Sequence, residues 1–368
     1  MKLTKQIILI SAITINLYFF VDYFFGNKLL DFFNLNKDES FRISNEYYNH
    51  GFKENYATEN AYWGPHKYKF CSNNFGLRSD CNNEYKLKYD TAFIGDSQTE
   101  GVGLDFNETF PGIYSTQKDV NILNFGIIQS SPTIYLKRLN FFLEKNIKFN
   151  ELFILLDLSD LHDEIKYNKD LFKNDIDNKC SKLKNNILSN DYKVSNYKNT
   201  YKNFLKNNLK ITYLISNLIW WNLNFKKYFG SYSFDYLEKN FYRTAWTYND
   251  NISHYGGAKC MEYMIVSLKN KVDQIYKLLK INNIDLSIIV APWPGSLIHD
   301  NVNSRHVKLW RKFCESRCKK FVNLYPYFFD YAEKNGKINT INKFFFKYDV
   351  HYNNLANKII ADHLIKNY

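Results

Sequence analysis

One serine in the sequence stands where a nucleophile could work. Ser97 lies in the string Gly95-Asp96-Ser97-Gln98-Thr99-Glu100-Gly101, directly after the apolar run 90–94. In open α/β sheets the binding crevice forms at the carboxyl ends of the strands, so a serine placed there can face a substrate. The flanking glycines let the backbone turn tightly and allow close approach of a neighbouring chain. We therefore predict Ser97 as a nucleophile, with helix capping as the alternative role.

A serine nucleophile needs a general base, and His351 is the best placed of the eight histidines. Asp349 stands two residues before it, just ahead of the last helical pattern in the chain. Asp349 could accept the proton of one imidazole nitrogen, leaving the other nitrogen to take the hydroxyl proton of Ser97. His363 is a poorer candidate, because adjacent Asp362 points in a different direction on a helix. The alternative for Asp349 and His351 is a loop ion pair or a cap.

The elements that must position these residues follow a strand-helix rhythm. Short apolar runs predict five strands, at 90–94, 120–123, 151–158, 285–291 and 321–324. Helical patterns follow or separate them at 133–145, 261–279, 306–318 and 353–366. Alternating strands and helices indicate a parallel sheet. The expected fold class is α/β, a three-layer α/β/α sandwich with a five-stranded parallel sheet.

Three of these motifs together resemble the SGNH, or GDSL, hydrolase superfamily. They are the string around Ser97, Asn124-Phe125-Gly126, and Asp349-Val350-His351, and the likeness covers residues 88–165 and 258–368. The Asp-x-His spacing is similar to a branch found among extracytoplasmic polysaccharide acetylation proteins. The resemblance implies a serine esterase or acyltransferase that needs no cofactor or metal. It also implies an oxyanion hole that includes the amides of Ser97 and Gly126.

The sequence differs from that superfamily in one further motif. Its members usually carry Gly-x-Asn-Asp, in which the Asn side chain donates to the oxyanion, whereas the matching stretch is Asp157-Leu158-Ser159-Asp160. Ser159 would then be the third oxyanion-hole residue, and loss of one donor can cost roughly a hundredfold in rate. A non-catalytic carbohydrate-binding module is therefore the alternative function. Nearby carboxylates could suggest a metal site, but we interpret them as capping or solvated groups and predict no metal.

The first segment predicts a membrane anchor. Residues 7–25 are apolar except for Ser11, Thr14, Asn16 and Asp22, and their number is about that which crosses a bilayer. No small-x-small cleavage site follows, which favours an uncleaved anchor over a signal peptide or a buried helix. Lys2 and Lys5 precede the run and favour a cytoplasmic N-terminus. We expect a single-pass membrane protein with its catalytic domain outside the cytoplasm.

The remaining chain is divided by changes in pattern. We expect a cytoplasmic tip and anchor at 1–26, a stalk and loop-rich extension at 27–87, and a hydrolase-like domain at 88–368. An inserted helical subdomain or lid at 166–257 interrupts that domain, because the segment is too long for a plain connection. Its apolar stretch 213–225 is interpreted as a buried helix, with an interfacial helix as the alternative.

Charge and cysteine content indicate which partners and which cellular compartment to expect. The formal charge is +12, but no nucleic-acid-binding motif accompanies it, so we predict a solvated surface and no nucleic-acid partner. The expected partners are the membrane and a glycan or lipid ester, preferably O-acetyl groups of a cell-surface polysaccharide. Six cysteines without a redox or zinc pattern favour an oxidising compartment. Of the 15 possible connectivities, we predict pairs 71–81, 180–260 and 314–318, against free buried thiols.

Overall fold

The apolar runs form one sheet in a computed structural model of the chain. The structure describes residues 2–33, 35, 37–82, 88–173, 178–182, 185, 204–229, 241–250 and 255–366. The strands are β1 Arg42–Asn45, β2 Asn49–Phe52, β3 Ala57–Trp63, β4 His66–Cys71, β5 Thr91–Ile94, β6 Ile122–Asn124, β7 Glu151–Leu155, β8 Asp285–Val290 and β9 Lys320–Asn323. The last five pair in parallel in the order β6-β5-β7-β8-β9. The predicted five-stranded parallel sheet is therefore confirmed.

Helices follow most of the strands, as the pattern predicts. They are α1 Lys2–Phe32, α2 Ser97–Glu100, α3 Phe110–Lys118, α4 Pro132–Glu144, α5 Asp160–Tyr167, α6 Lys210–Phe229, α7 Phe241–Ala245, α8 Ala258–Ile281, α9 Pro294–His299, α10 Arg305–Cys314, α11 Tyr325–Asn335, α12 Lys337–Phe344 and α13 Asn354–Lys366. Four of them lie within four residues of the bounds expected from periodicity.

The sheet is buried on both faces because its strands carry apolar side chains at successive positions. Ala92 and Ile94 face one core, which the apolar sides of α4 and α8 complete. Phe93 and Phe153 point the opposite way, into a second core that α3 and α13 close. Successive side chains alternate between faces with a period of two, so each short strand contributes to both cores.

Two antiparallel hairpins precede the sheet, in the segment predicted as a stalk and loop-rich extension. β1 pairs with β2 and β3 with β4, around a small core that includes Phe41, Phe70 and Ile127. The burial of β1 and β3 does not alternate strictly from residue to residue. Sequence periodicity could not reveal these strands, because a bulge interrupts β3 and the small core uses residues from outside the hairpins.

The chain divides into two units, of residues 1–37 with 189–232 and of residues 38–188 with 233–368. In the first, an 18-residue window within Thr4–Phe32 of α1 has a mean hydropathy of 1.9 and is 6% buried, so α1 is long and apolar enough to span a membrane. The carboxylate of Asp22 accepts the backbone N–H of Ile211 at 2.6 Å, at the start of α6. Leu30 packs with Leu205 and Leu214 in the same unit.

Three disulfides join the six cysteines in the predicted pairs, Cys71–Cys81, Cys180–Cys260 and Cys314–Cys318. The third closes at the end of α10, where the chain leaves the helix. Much of the predicted insertion 166–257 lies outside the described residues. Within its described part, α6 buries Tyr213 and Leu214 but leaves Ile215 and Ile219 about half exposed.

Candidate active site

Ser97 is the first residue of α2, a single turn that follows the carboxyl end of β5. The side chain of Asp96 caps this turn by accepting the N–H of Gln98 at 3.1 Å. Gly101 ends it in the left-handed region, at φ 74°, which side chains with a Cβ rarely adopt. Ser97 is only 7% exposed. The turn therefore holds its hydroxyl in a fixed place at the edge of the sheet.

The structure brings the three residues of the predicted triad together. Ser97 Oγ lies 2.8 Å from His351 Nε2, and His351 Nδ1 lies 2.6 Å from Asp349 Oδ1. The other carboxylate oxygen, Asp349 Oδ2, accepts the indole N–H of Trp63 at 2.7 Å. Burial raises the pKa of Asp349, but the charge and hydrogen bond of His351, together with the Trp63 bond, outweigh it. The pKa of Asp349 consequently lies below its ordinary value.

Gln98 fixes the loop that carries His351. Its amide nitrogen donates to the carbonyl of Val350 at 2.9 Å, and its amide oxygen accepts the N–H of Tyr352 at 3.1 Å. These two bonds bracket His351 on both sides in the chain. An antiparallel bridge between Phe345 and Tyr352 closes the base of the loop. Because Gln98 follows Ser97 directly, the same turn positions both the hydroxyl and the imidazole.

The hairpin segment holds α2 from the other side. Arg42, from β1, makes a bidentate ion pair with buried Glu100 at 3.0 and 2.5 Å. Arg78 is fully buried and donates to the backbone carbonyls of Glu100, Gly101 and Leu104. Two arginines that precede residue 88 in the chain therefore fix the turn that carries Ser97.

A cluster of buried carboxyls lies behind Ser97. Asp96 Oδ2 is 3.2 Å from both Ser97 Oγ and Ser159 Oγ, and Ser159 Oγ donates to Asp157 Oδ1 at 2.8 Å. Trp293 donates its indole N–H to the other oxygen of Asp157 at 3.0 Å. Burial raises the pKa of Asp96 well above its ordinary value, and the neighbouring Asp157 charge adds to the shift. Burial also raises the pKa of Asp157, against the hydrogen bonds it accepts.

The two oxyanion donors predicted beyond Ser97 are already engaged within the protein. The Gly126 N–H donates to the side-chain oxygen of Asn124 at 2.8 Å. Gly126 also packs against α2, where a Cβ would come within 2.3 Å of the Glu100 nitrogen. The hydroxyl of Ser159 points to carboxylates, as described above. The amide of Ser97, at the start of a helix where N–H groups have no helical acceptor, is the remaining donor of the predicted set.

Sequence reasoning missed Trp63, Gln98, Arg42 and Arg78. Gln98 stood inside the quoted string but carried no signal beyond its proximity to Ser97. The other three lie on a segment with no strand periodicity, and contacts across the fold rather than local patterns give them their roles. Among the described residues, no group of three or more His, Cys, Asp or Glu is arranged to hold a metal ion.

The fold and the site define an α/β protein in which a buried serine, a histidine and an aspartate are hydrogen-bonded in series. A scan of the chain against protein-family models gives no match, and a search of curated proteins gives none either.

Proposed function

We propose that this protein is a serine esterase or O-acyltransferase of the SGNH type, with Ser97 as nucleophile, His351 as general base and Asp349 as the residue that orients it. The observation that carries the proposal is the continuous series Ser97 Oγ, His351 Nε2, His351 Nδ1 and Asp349 Oδ1, with contacts of 2.8 and 2.6 Å. This is the arrangement that activates a serine hydroxyl in acyl transfer. The serine also follows the carboxyl end of β5, a place where α/β sheets bind substrates.

The chemistry follows from these contacts. Ser97 Oγ attacks the ester carbonyl carbon while His351 Nε2 takes the hydroxyl proton. The tetrahedral oxyanion forms near the Ser97 amide and collapses as the alcohol leaves with the proton from His351. Water or a sugar hydroxyl then attacks the acyl-serine, with His351 again removing the proton, and frees Ser97. Water as acceptor gives hydrolysis, whereas a sugar hydroxyl gives acyl transfer.

The proposed setting is a membrane surface outside the cytoplasm. α1 is long and apolar enough to anchor the chain, and three disulfides suit an oxidising compartment. Lysines before α1 favour a cytoplasmic N-terminus. Esters on an extracytoplasmic glycan, and O-acetyl groups in particular, are the substrates we infer for this setting. The segment 166–257 is proposed as an inserted subdomain of the chain.

A fluorophosphonate probe tests the nucleophile directly. We expect the probe to label the wild-type protein at Ser97, as mapped by peptide mass spectrometry, and to leave Ser97→Ala unlabelled. His351→Ala should lose nearly all labelling and ester turnover, and the double variant should be hardly worse, because neither group works without the other. Additive losses, or labelling of a different serine, would contradict the proposal.

A non-catalytic carbohydrate-binding module is the second candidate, and one observation favours it. Gly126 and Ser159, which would complete an oxyanion hole, direct their donors to Asn124 and Asp157 instead. Transition-state stabilisation then depends on few donors. Wild-type protein that binds acetylated glycan but neither labels with the probe nor cleaves acetyl esters would establish this second function and reject the first.

A further inference from the structure

We propose that Trp63 is a positioning residue for the triad, acting through Asp349, so that the β3–β4 hairpin completes the site; this inference rests on the proposed function. Trp63 is the last residue of β3, outside the regions that resemble the superfamily. Its indole N–H donates at 2.7 Å to Asp349 Oδ2, the oxygen that His351 does not use. The four residues Trp63, Asp349, His351 and Ser97 thus form one hydrogen-bonded series.

The Trp63 bond fixes the rotation of the Asp349 carboxylate. Asp349 Oδ1 faces the imidazole at 2.6 Å and also accepts the backbone N–H groups of Val350 and His351. The indole N–H, bonded to Oδ2, opposes rotation of the carboxylate about its Cβ–Cγ bond. A carboxylate that rotates holds its histidine less well in the attacking orientation. Trp63 therefore stabilises the orientation of His351 indirectly, through Asp349.

The ring of Trp63 also covers the imidazole. Its centroid lies 4.7 Å from that of His351 in an edge-to-face arrangement, with an interplanar angle of 75°. Covering the His351–Asp349 pair excludes water, and electrostatic interactions are stronger where water is excluded. The rest of the hairpin is seated firmly, because His66 stacks on Phe346 with the centroids 4.0 Å apart. The hairpin therefore reaches the triad as part of a packed structure.

The indole N–H and the indole ring can be separated by Trp63→Phe, which keeps an aromatic ring and removes the donor. A hydrogen bond to a charged group that is lost in this way should lower the rate of fluorophosphonate labelling about tenfold or more.

A double-mutant cycle distinguishes positioning from a merely structural role. If Trp63 acts through Asp349, then Trp63→Phe should cost little in an Asp349→Asn background. A structural residue would cost the same in both backgrounds. Tyr68→Phe is the matched control, since it removes a hydroxyl from the same hairpin within the core formed with Phe41 and Phe70. The control should leave the labelling rate unchanged.

A spectroscopic measurement keeps this inference separate from the proposed function. The proton between His351 Nδ1 and Asp349 should give a far-downfield resonance in the full-length protein, whether or not the protein turns over esters. We expect Trp63→Phe to shift or broaden that resonance and Tyr68→Phe to leave it in place. An unchanged resonance in Trp63→Phe would overturn the inference, as would an equal loss of labelling in both Asp349 backgrounds. Failure of the wild type to label would reject the esterase alone.

Discussion

The hydroxyl of Ser97 has two neighbours, His351 Nε2 at 2.8 Å and Asp96 Oδ2 at 3.2 Å. Its single proton goes to His351 when the imidazole acts as base. The hydroxyl proton of Ser159 is directed to Asp157, at the shorter of its two contacts. Asp96 Oδ2 then faces two oxygens whose protons are both used elsewhere. A neutral, protonated Asp96 resolves this arrangement, because it supplies a proton of its own to one of the two hydroxyls.

This proton count predicts that Asp96→Asn will be well tolerated. The asparagine oxygen can accept the Gln98 N–H, while its NH₂ donates to the Ser97 or Ser159 hydroxyl. Since the folded-state pKa of Asp96 is raised, its stabilising contribution is present below the unfolded pKa of about 3.9 and is lost as pH rises through the folded pKa. Asp96→Asn should remove this loss and exceed the wild type in stability at pH 8.

Urea denaturation between pH 4 and pH 8 measures the effect. The difference between Asp96→Asn and the wild type should grow as pH rises. Asp119→Asn, at an exposed position, is the control and should track the wild type throughout. If the difference in unfolding free energy between Asp96→Asn and the wild type stayed constant from pH 4 to pH 8, the raised pKa of Asp96 would be contradicted.

The segment that precedes the sheet supports the turn of Ser97 through two arginines, Arg42 and Arg78. Arg78 is 1% exposed, and its guanidinium donates hydrogen bonds to three backbone carbonyls, those of Glu100, Gly101 and Leu104. Removing its guanidinium takes away the donor to the Glu100 and Leu104 carbonyls and leaves Gly101 O with only the Leu104 N–H. Each buried group left unsatisfied costs about 1 to 3 kcal/mol. Disulfide Cys71–Cys81 closes the loop that carries Arg78, which restrains the arginine further. The turn that bears Ser97 therefore depends on residues before residue 82.

We predict that Arg78→Met lowers the free energy of unfolding by about 3 kcal/mol or more, as in other buried cations removed from their partners. Labelling of Ser97 should fall with it, because α2 loses its support. Arg317→Met is a suitable control: Arg317 pairs with Asp273 at 3.0 Å but is a third exposed, so its loss should cost less than about 1 kcal/mol. Equal destabilisation by the two changes would contradict the role given to Arg78.

The sheet and the triad were predictable from sequence for a physical reason. A buried parallel strand appears in the sequence as a continuous apolar run. Ligands bind at the carboxyl ends of such strands, so the position of Ser97 directly after one of these runs was enough to single it out. Asp349 and His351 were found because they are close in the chain. Trp63 could not be found this way, since it meets Asp349 across 286 residues and its own strand is interrupted by a bulge. The Gly126 amide, by contrast, is engaged locally, by the side chain of Asn124 two residues earlier in the chain.

Anchor, disulfides and charge pattern together predict the topology of the chain in a cell. We expect a C-terminal reporter that works only outside the cytoplasm to be active, and a reporter that fluoresces only inside it to be dark. Removing residues 2–32 should release the protein from membranes, because α1 is the described helix apolar enough to span one. All six cysteines should resist alkylation until the protein is reduced. A fluorescent cytoplasmic reporter or freely alkylated thiols would reject the predicted orientation.

Ser97 and His351, the proposed nucleophile and base, are 254 residues apart in the chain, so the ribosome makes them at different times. At roughly 5 to 20 residues per second, a ribosome needs roughly 10 to 50 seconds to make the second after the first. A nascent chain therefore carries Ser97 without His351 throughout that interval. The proposed esterase would be inert while it is threaded past the lipids of the membrane, and could react only once His351 has emerged and folded.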